Sequence, residues 1–343
     1  MKISYNWLKD YLDLSVDPHH LADRLSLIGL EVEEVIERKF DFPQVVVGQI
    51  LGVDPHPNAD KLSLCRVTTG DEELSIICGA TNVASGQVVA VAKIGATLPQ
   101  GLKIHKTKIR NVESEGMICS QAELGLEEHS EGIWILPENL PLGVPLDKAL
   151  QLETDYIFDI AVTPNRPDCL SHLGIAREVG ALVNQHIKKP EIKLQEIKQA
   201  ASEQIKIVIE TPAGCPRYSA RLIRNVKIGE SPSWLVRRLE AVGLRPINNV
   251  VDITNYVLME TGHPLHAFDY ELIQGEKIIV REAQKNEKFT TLDDKERILK
   301  KGTVLICDAQ EPVAIGGIMG GLNSEVSTQT QHVLLESAYF NPQ

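Results

Sequence analysis

The chain has 343 residues, 43% apolar and 24% charged, with a formal net charge of -12. A single core usually holds about 100 to 200 residues, so two or three units are expected. The acidic balance excludes a protein that grips nucleic acid chiefly by bulk attraction to phosphate, and any RNA contact must therefore be local. No apolar run approaches the roughly 18 residues a membrane span requires, which argues against a membrane protein. The start, Met1 to Leu12, alternates Trp7, Leu8, Tyr11 and Leu12 with polar residues and lacks the layout of a secretory signal, so a cytoplasmic location is expected. The six cysteines lie far apart without a CxxC pair, which favours buried thiols over a zinc site or a disulfide framework.

In chain order, residues 1–38 read as helical. Asp17 can cap a helix with Pro18 at its first position, Leu21, Leu25 and Ile28 follow at helical spacing, and Gly29 ends it. From Val45 to Pro137 the texture changes to short β-type runs cut by Gly, Pro and Asn, including KLSLCRVTTG and VVAVAKIGATLP, which suggest a small closed barrel. Helical spacing returns in residues 169–185, where Leu170, Leu173, Ala176, Val179, Leu182 and Val183 share a face. The expected domains are thus a helical/mixed unit of 1–38 plus 150–187 around a barrel of 39–149. Residues 188–204, rich in charge, Gln and Ala, read as a linker, and a mixed α and β unit fills 205–343. In that unit a helix is expected after a Ser231 cap with Pro232 in its first turn, running to Gly243. The final run HVLLESAYF stops without a closing element, so the third unit is expected to be truncated.

Several side-chain patterns carry chemistry. In KIHKTKIR, period-two alternation puts Lys106, Lys108 and Arg110 on one face of an extended strand, either a local contact for RNA backbone or a solvated face. His263, His266 and Asp269 lie three apart, as metal ligands can, but Pro264 interrupts a helix and no HExxH or cysteine partner accompanies them; no metal ligand is assigned. AIGGIMGG lacks the Lys-Ser or Lys-Thr of a phosphate loop, so its glycines, Gly316 and Gly317 among them, more naturally let backbone approach a ligand or a strand. Glu336 sits in a run that otherwise reads as buried strand, and a buried carboxylate is costly unless it is paired or used. An edge position or an internal ion pair would also account for it.

HPNADKLSLCRV (56–67), CGATN (78–82) and IRNVESEGMICSQAELGL (109–126) resemble the tRNA-binding OB domain. The flanks MKISYNWLKDYLDL and TPNRPDCLSHLGIAREVGAL (163–182), then RPINNVVDITNYVLMETGHPLHAFD (245–269), AIGGIMGG (314–321) and VLLESAYF (333–340), resemble the beta chain of bacterial-type phenylalanyl-tRNA synthetase along nearly its whole N-terminal part. That resemblance implies an α+β multidomain fold, an OB-fold barrel inserted in the N-terminal unit followed by an incomplete editing domain. It also implies removal of tyrosine misattached to tRNA by a pocket of Glu336, His266, Arg245, Gly316 and Gly317, with Glu336 accepting the tyrosine hydroxyl. The implied partners are a phenylalanine-accepting tRNA and a synthetase alpha chain in an alpha2beta2 heterotetramer. ATP and magnesium are implied for the complete enzyme, whose aminoacylation site is on the alpha chain, and no cofactor for this segment. The other readings are a stand-alone tRNA-binding OB protein and an unrelated metal hydrolase built on His263, His266 and Asp269.

Overall fold

A computed structural model describes every residue except Gln100, Glu128 and Gln343. The fold is mixed α+β and divides into two compact units, Arg38–Thr154 and the combination of Met1–Glu37 with Asp155–Gln343.

In the first unit the sheet runs Ile135–Leu136, Val88–Lys93, Val45–Pro55, Ser63–Thr68, Glu73–Cys78, with Gly116–Ile118 also pairing to Val88–Lys93. It nearly closes on itself: the Glu115 N–H reaches Ser75 O at 2.8 Å and the Ile77 N–H reaches the Ser114 hydroxyl at 3.1 Å. Closure demands strong coiling, and a register shift between Ile50 and Gly52 supplies a bend. The VVAVA run is apolar throughout because this strand is buried on both faces, Val89 and Val91 against Ile50, Val67 and Ile76, and Val88, Ala90 and Ala92 against Leu98 and Leu136.

In the second unit, Lys2–Ser4, Asp155–Ala161 and Glu31–Arg38 form a three-stranded sheet. Several helices join its core, Tyr5–Leu8 among them. Pro18–Leu27 starts at Asp17, whose carboxylate accepts the His20 N–H at 3.0 Å, and His172–Val183 starts at Ser171, whose hydroxyl accepts the Gly174 N–H at 2.9 Å. Residues 188–200 are exposed and carry neither helix nor strand.

Beyond them, a five-stranded sheet (Lys206–Ile209, Lys277–Glu282, Val304–Cys307, Pro312–Ile315, Met319–Gly320) shares a core with a three-stranded one in the order Arg217–Arg224, His332–Tyr339, His266–Asp269. Ile278, Val280, Ile306 and Ala314 come from the first, Tyr218, Phe268, Leu334 and Ala338 from the second. The helix expected after a Ser231 cap begins instead at Ser233, with Pro232 at the cap position and no side-chain cap bond. The Ser231 hydroxyl is spent on Asp252, a buried carboxylate whose other oxygen takes the Ile247 N–H at 2.8 Å. A buried charge is the stronger claimant for a donor.

Candidate functional site

Glu336 lies in the central strand of the three-stranded sheet, with Ala220 opposite on one side and His266 opposite on the other. Residues directly opposite share a face, so Glu336 and His266 both project toward the layer between the sheets. Glu336 is 6% exposed. The Tyr218 hydroxyl donates to its Oε2 at 2.8 Å. Burial pushes the Glu336 carboxyl up to about 7, with the Tyr218 bond pulling the other way.

His266 is half-buried, its ring edge-on to Phe268 at 4.5 Å, and burial pushes it down to about 4. The imidazole is therefore neutral at pH 7. Gly320 makes room for it, since a Cβ there would stand 2.5 Å from the His266 Cε1. A cavity of about 150 Å³ follows, walled by Leu265, His266, Ile306, Ala314, Glu336 and Ala338 among others. A wider one of about 790 Å³ shares Pro264, Gly317 and Phe340 with it and adds His263, Thr303 and Gly316. Gly316 and Gly317 lie against the Phe340 ring, where a Cβ would come within 2.8 and 3.0 Å; Gly317 also has φ 68.

The other residues singled out in the sequence have partners of their own or lie outside both cavities. His263 shares a hydrogen bond with the Ser337 hydroxyl at 3.0 Å, and Asp269 accepts from the Thr330 hydroxyl at 2.6 Å, so the three residues HPLHAFD spaces like ligands answer to different partners. Arg245 is exposed between two helices, Ser233–Ala241 and Asn249–Thr261, and lines neither cavity. Among the described residues Asp168, Cys169 and Glu178 converge as ligands might, but the Arg166 guanidinium already bridges them, 3.0 Å from Asp168 and 2.8 Å from Glu178. Tyr218 escaped sequence reasoning, because no local pattern in RYSARLIR reveals a partner 118 positions away.

The basic stripe is also rearranged. Thr107–Ile109 and Val112–Ser114 form a hairpin whose turn is Arg110 and Asn111, at φ 48 and 68, so Lys106 precedes the strand and Arg110 rides the turn rather than an extended face. Lys106 lies 2.9 Å from Glu113 and 3.0 Å from Glu115, and Lys108 3.8 Å from Glu113. Residues of the HPNAD loop hold the turn: Asn58 Nδ2 donates to Arg110 O at 2.8 Å, and His56 Nε2 meets Ile109 O at 3.2 Å.

Family comparison resolves the kinship. Residues 45–145 match the family described as putative tRNA binding domain, and residues 214–343 match the B3/4 domain. The phenylalanine--tRNA ligase beta subunit of Syntrophus aciditrophicus (strain SB) is 52% identical over 342 residues, 100% of this chain and 42% of that protein. The chain belongs to the phenylalanine--tRNA ligase beta-subunit family. The family member of Geobacter metallireducens is 54% identical over 342 residues, 100% of this chain and 43% of its own. The chain thus spans less than half the length of these relatives. Identity runs through both matched domains, which overturns the reading of a stand-alone barrel module. A crystallised N-terminal fragment of the phenylalanyl-tRNA synthetase beta-subunit from Pyrococcus horikoshii overlaps 55% of this chain and 57% of its own at 16% identity and a TM-score of 0.33, too low to bear on the fold.

Proposed function

We propose that this chain is the tRNA-handling and proofreading portion of a phenylalanine--tRNA ligase beta subunit, with the barrel of residues 39–149 as an OB-type tRNA contact and residues 205–343 hydrolysing tyrosine misattached to tRNA. A buried carboxylate in the wall of a small cavity, whose other lining side chains apart from His266 are apolar, carries the reading. A synthetic pocket shaped for phenylalanine rejects tyrosine weakly, by about a hundredfold for hydrophobic sites of this type, so tyrosine is sometimes attached. A second cavity with a fixed acceptor inverts the preference. Tyrosine satisfies Glu336, whereas phenylalanine would bury its carboxylate against a ring edge.

Hydrolysis then needs a water held near the ester. His266 faces the same cavity, and a group titrating at about 4 is too weak a base to take a proton near neutrality. Its neutral ring instead orients the water or the ester by hydrogen bonding, while Gly316 and Gly317, in the wall of the wider cavity, leave room for the Phe340 ring that lines both cavities. The wider cavity is the natural place for the end of the tRNA. Arg245, exposed and outside both walls, is given no part in the cavity chemistry on this reading. On this reading aminoacylation, with its ATP and magnesium, belongs to an alpha chain partnered in a heterotetramer, and none of the residues named here is assigned to them.

In the complete ligase, Glu336→Ala is expected to let Tyr-tRNA persist, measured by the decay of radiolabelled Tyr-tRNA. Undiminished clearance by that variant would overturn the proposal.

A further inference from the structure

Tyr218 stands opposite Ala338 and Glu336 opposite Ala220 on paired strands, so the two side chains leave the same face of the sheet. Both enter an apolar layer, Tyr218 at 8% exposure and Glu336 at 6%. A hydroxyl buried that deeply needs a partner, and it has one in Glu336 Oε2. Among the described residues no other group donates to Glu336, and its remaining oxygen, Oε1, belongs to a side chain that lines the small cavity.

We propose that Tyr218 is the positioning residue of the specificity site: its hydroxyl occupies Oε2 and fixes the carboxylate so that Oε1 alone meets an incoming phenol. One carboxylate thereby holds two phenols, one from the chain and one from the ligand. The inference rests on the proofreading reading of the same cavity. A carboxylate without that tether could turn within its cavity and meet the ligand in several ways, and a loosely held acceptor discriminates poorly. The tether also favours the anion, which accepts at both oxygens, over the acid, which spends one oxygen as a donor. The titratable groups around Glu336 are Tyr218 itself, His266 across the ladder and the Cys215 thiol.

The test uses the complete ligase and compares Tyr-tRNA and Phe-tRNA deacylation across the neutral pH range for Tyr218→Phe and for a fluorinated tyrosine placed at 218, whose hydroxyl is a stronger donor. Removing the donor is expected to move the acid limb of the profile to higher pH, raise KM more than it lowers kcat, and reduce Tyr-over-Phe discrimination roughly tenfold. The stronger donor is expected to move the limb the other way. Loosened packing cannot produce opposite shifts, so unchanged profiles, or shifts in one direction, overturn the inference. If the phenylalanine variant does not fold, the direction of the fluorotyrosine shift decides alone. Glu336→Ala separates the two levels: wild-type clearance of Tyr-tRNA by that variant sinks the proofreading reading and this inference together. Impaired clearance beside silent replacements at 218 sinks the positioning role only.

Discussion

Glu336 is pulled two ways, by an apolar layer that favours the neutral acid and by a phenol that favours the anion. The layer dominates, since the carboxyl is raised to about 7 from the 4.5 of a solvated glutamate. A raised acid binds its proton more tightly folded than unfolded, so its contribution to stability is fully present below 4.5 and is lost as pH rises through about 7. Glu336→Gln, a neutral isostere that still accepts from Tyr218, is therefore expected to be near-neutral for stability at about pH 5 and stabilising by on the order of 3 kcal/mol at about pH 9. Urea unfolding at the two pH values measures it, and equal effects at both would mean the group is solvated. His266 has the opposite sign. Depressed from 6.5 to about 4, it favours the folded state above 6.5, and that contribution is lost as pH falls through about 4.

At the level of elements, the second unit depends on His172, stacked on Trp7 at 3.8 Å with Tyr256 on Trp7 at 4.6 Å. Its Nε2 accepts the Ser4 N–H at 3.1 Å and its Nδ1–H donates to Met259 O at 2.8 Å, which fixes a neutral tautomer, and burial pushes it down to about 3. His172→Leu keeps the bulk but orphans a buried amide and a carbonyl, and is expected to cost roughly 3 kcal/mol in a denaturant titration; a loss under about 0.5 kcal/mol would show that water replaces the ring. What the sequence made legible was local. Asp17 with Pro18, and the doubly buried VVAVA run, announce themselves because caps and short apolar β-type runs act over a few residues. Ser231 did not, because the acceptor that claims it, Asp252, lies a helix away. Glu336 was legible as an acid in a buried strand, yet Tyr218 was not, since strand register is set by the whole sheet. Arg110 was misplaced because alternation was carried through a turn that only the left-handed φ of Arg110 and Asn111 reveals.

The whole chain carries a net charge of -12, so its field repels a polyanion and any tRNA affinity must come from small basic features that overcome it. We propose the hairpin around Arg110 as such a feature, but its charges are not equivalent. Lys106 sits between Glu113 and Glu115 and Lys108 leans toward Glu113, so a phosphate approaching either must compete with carboxylates already there. Exposed Arg110, on a turn held by Asn58, does not share those acids. Three phosphate contacts would together steepen the dependence of log K on log salt by roughly 2 to 3, and a single one by about 1. Replacing Lys106, Lys108 and Arg110 by alanine is accordingly expected to shallow the slope for tRNA by about 1, with Arg110→Ala alone giving most of the change. Filter binding over a salt series reads it directly. A change near 3 would mean the acids let go when tRNA arrives, and no change at all would remove the hairpin from the RNA contact, leaving its lysines as one half of an exposed salt-bridge ladder.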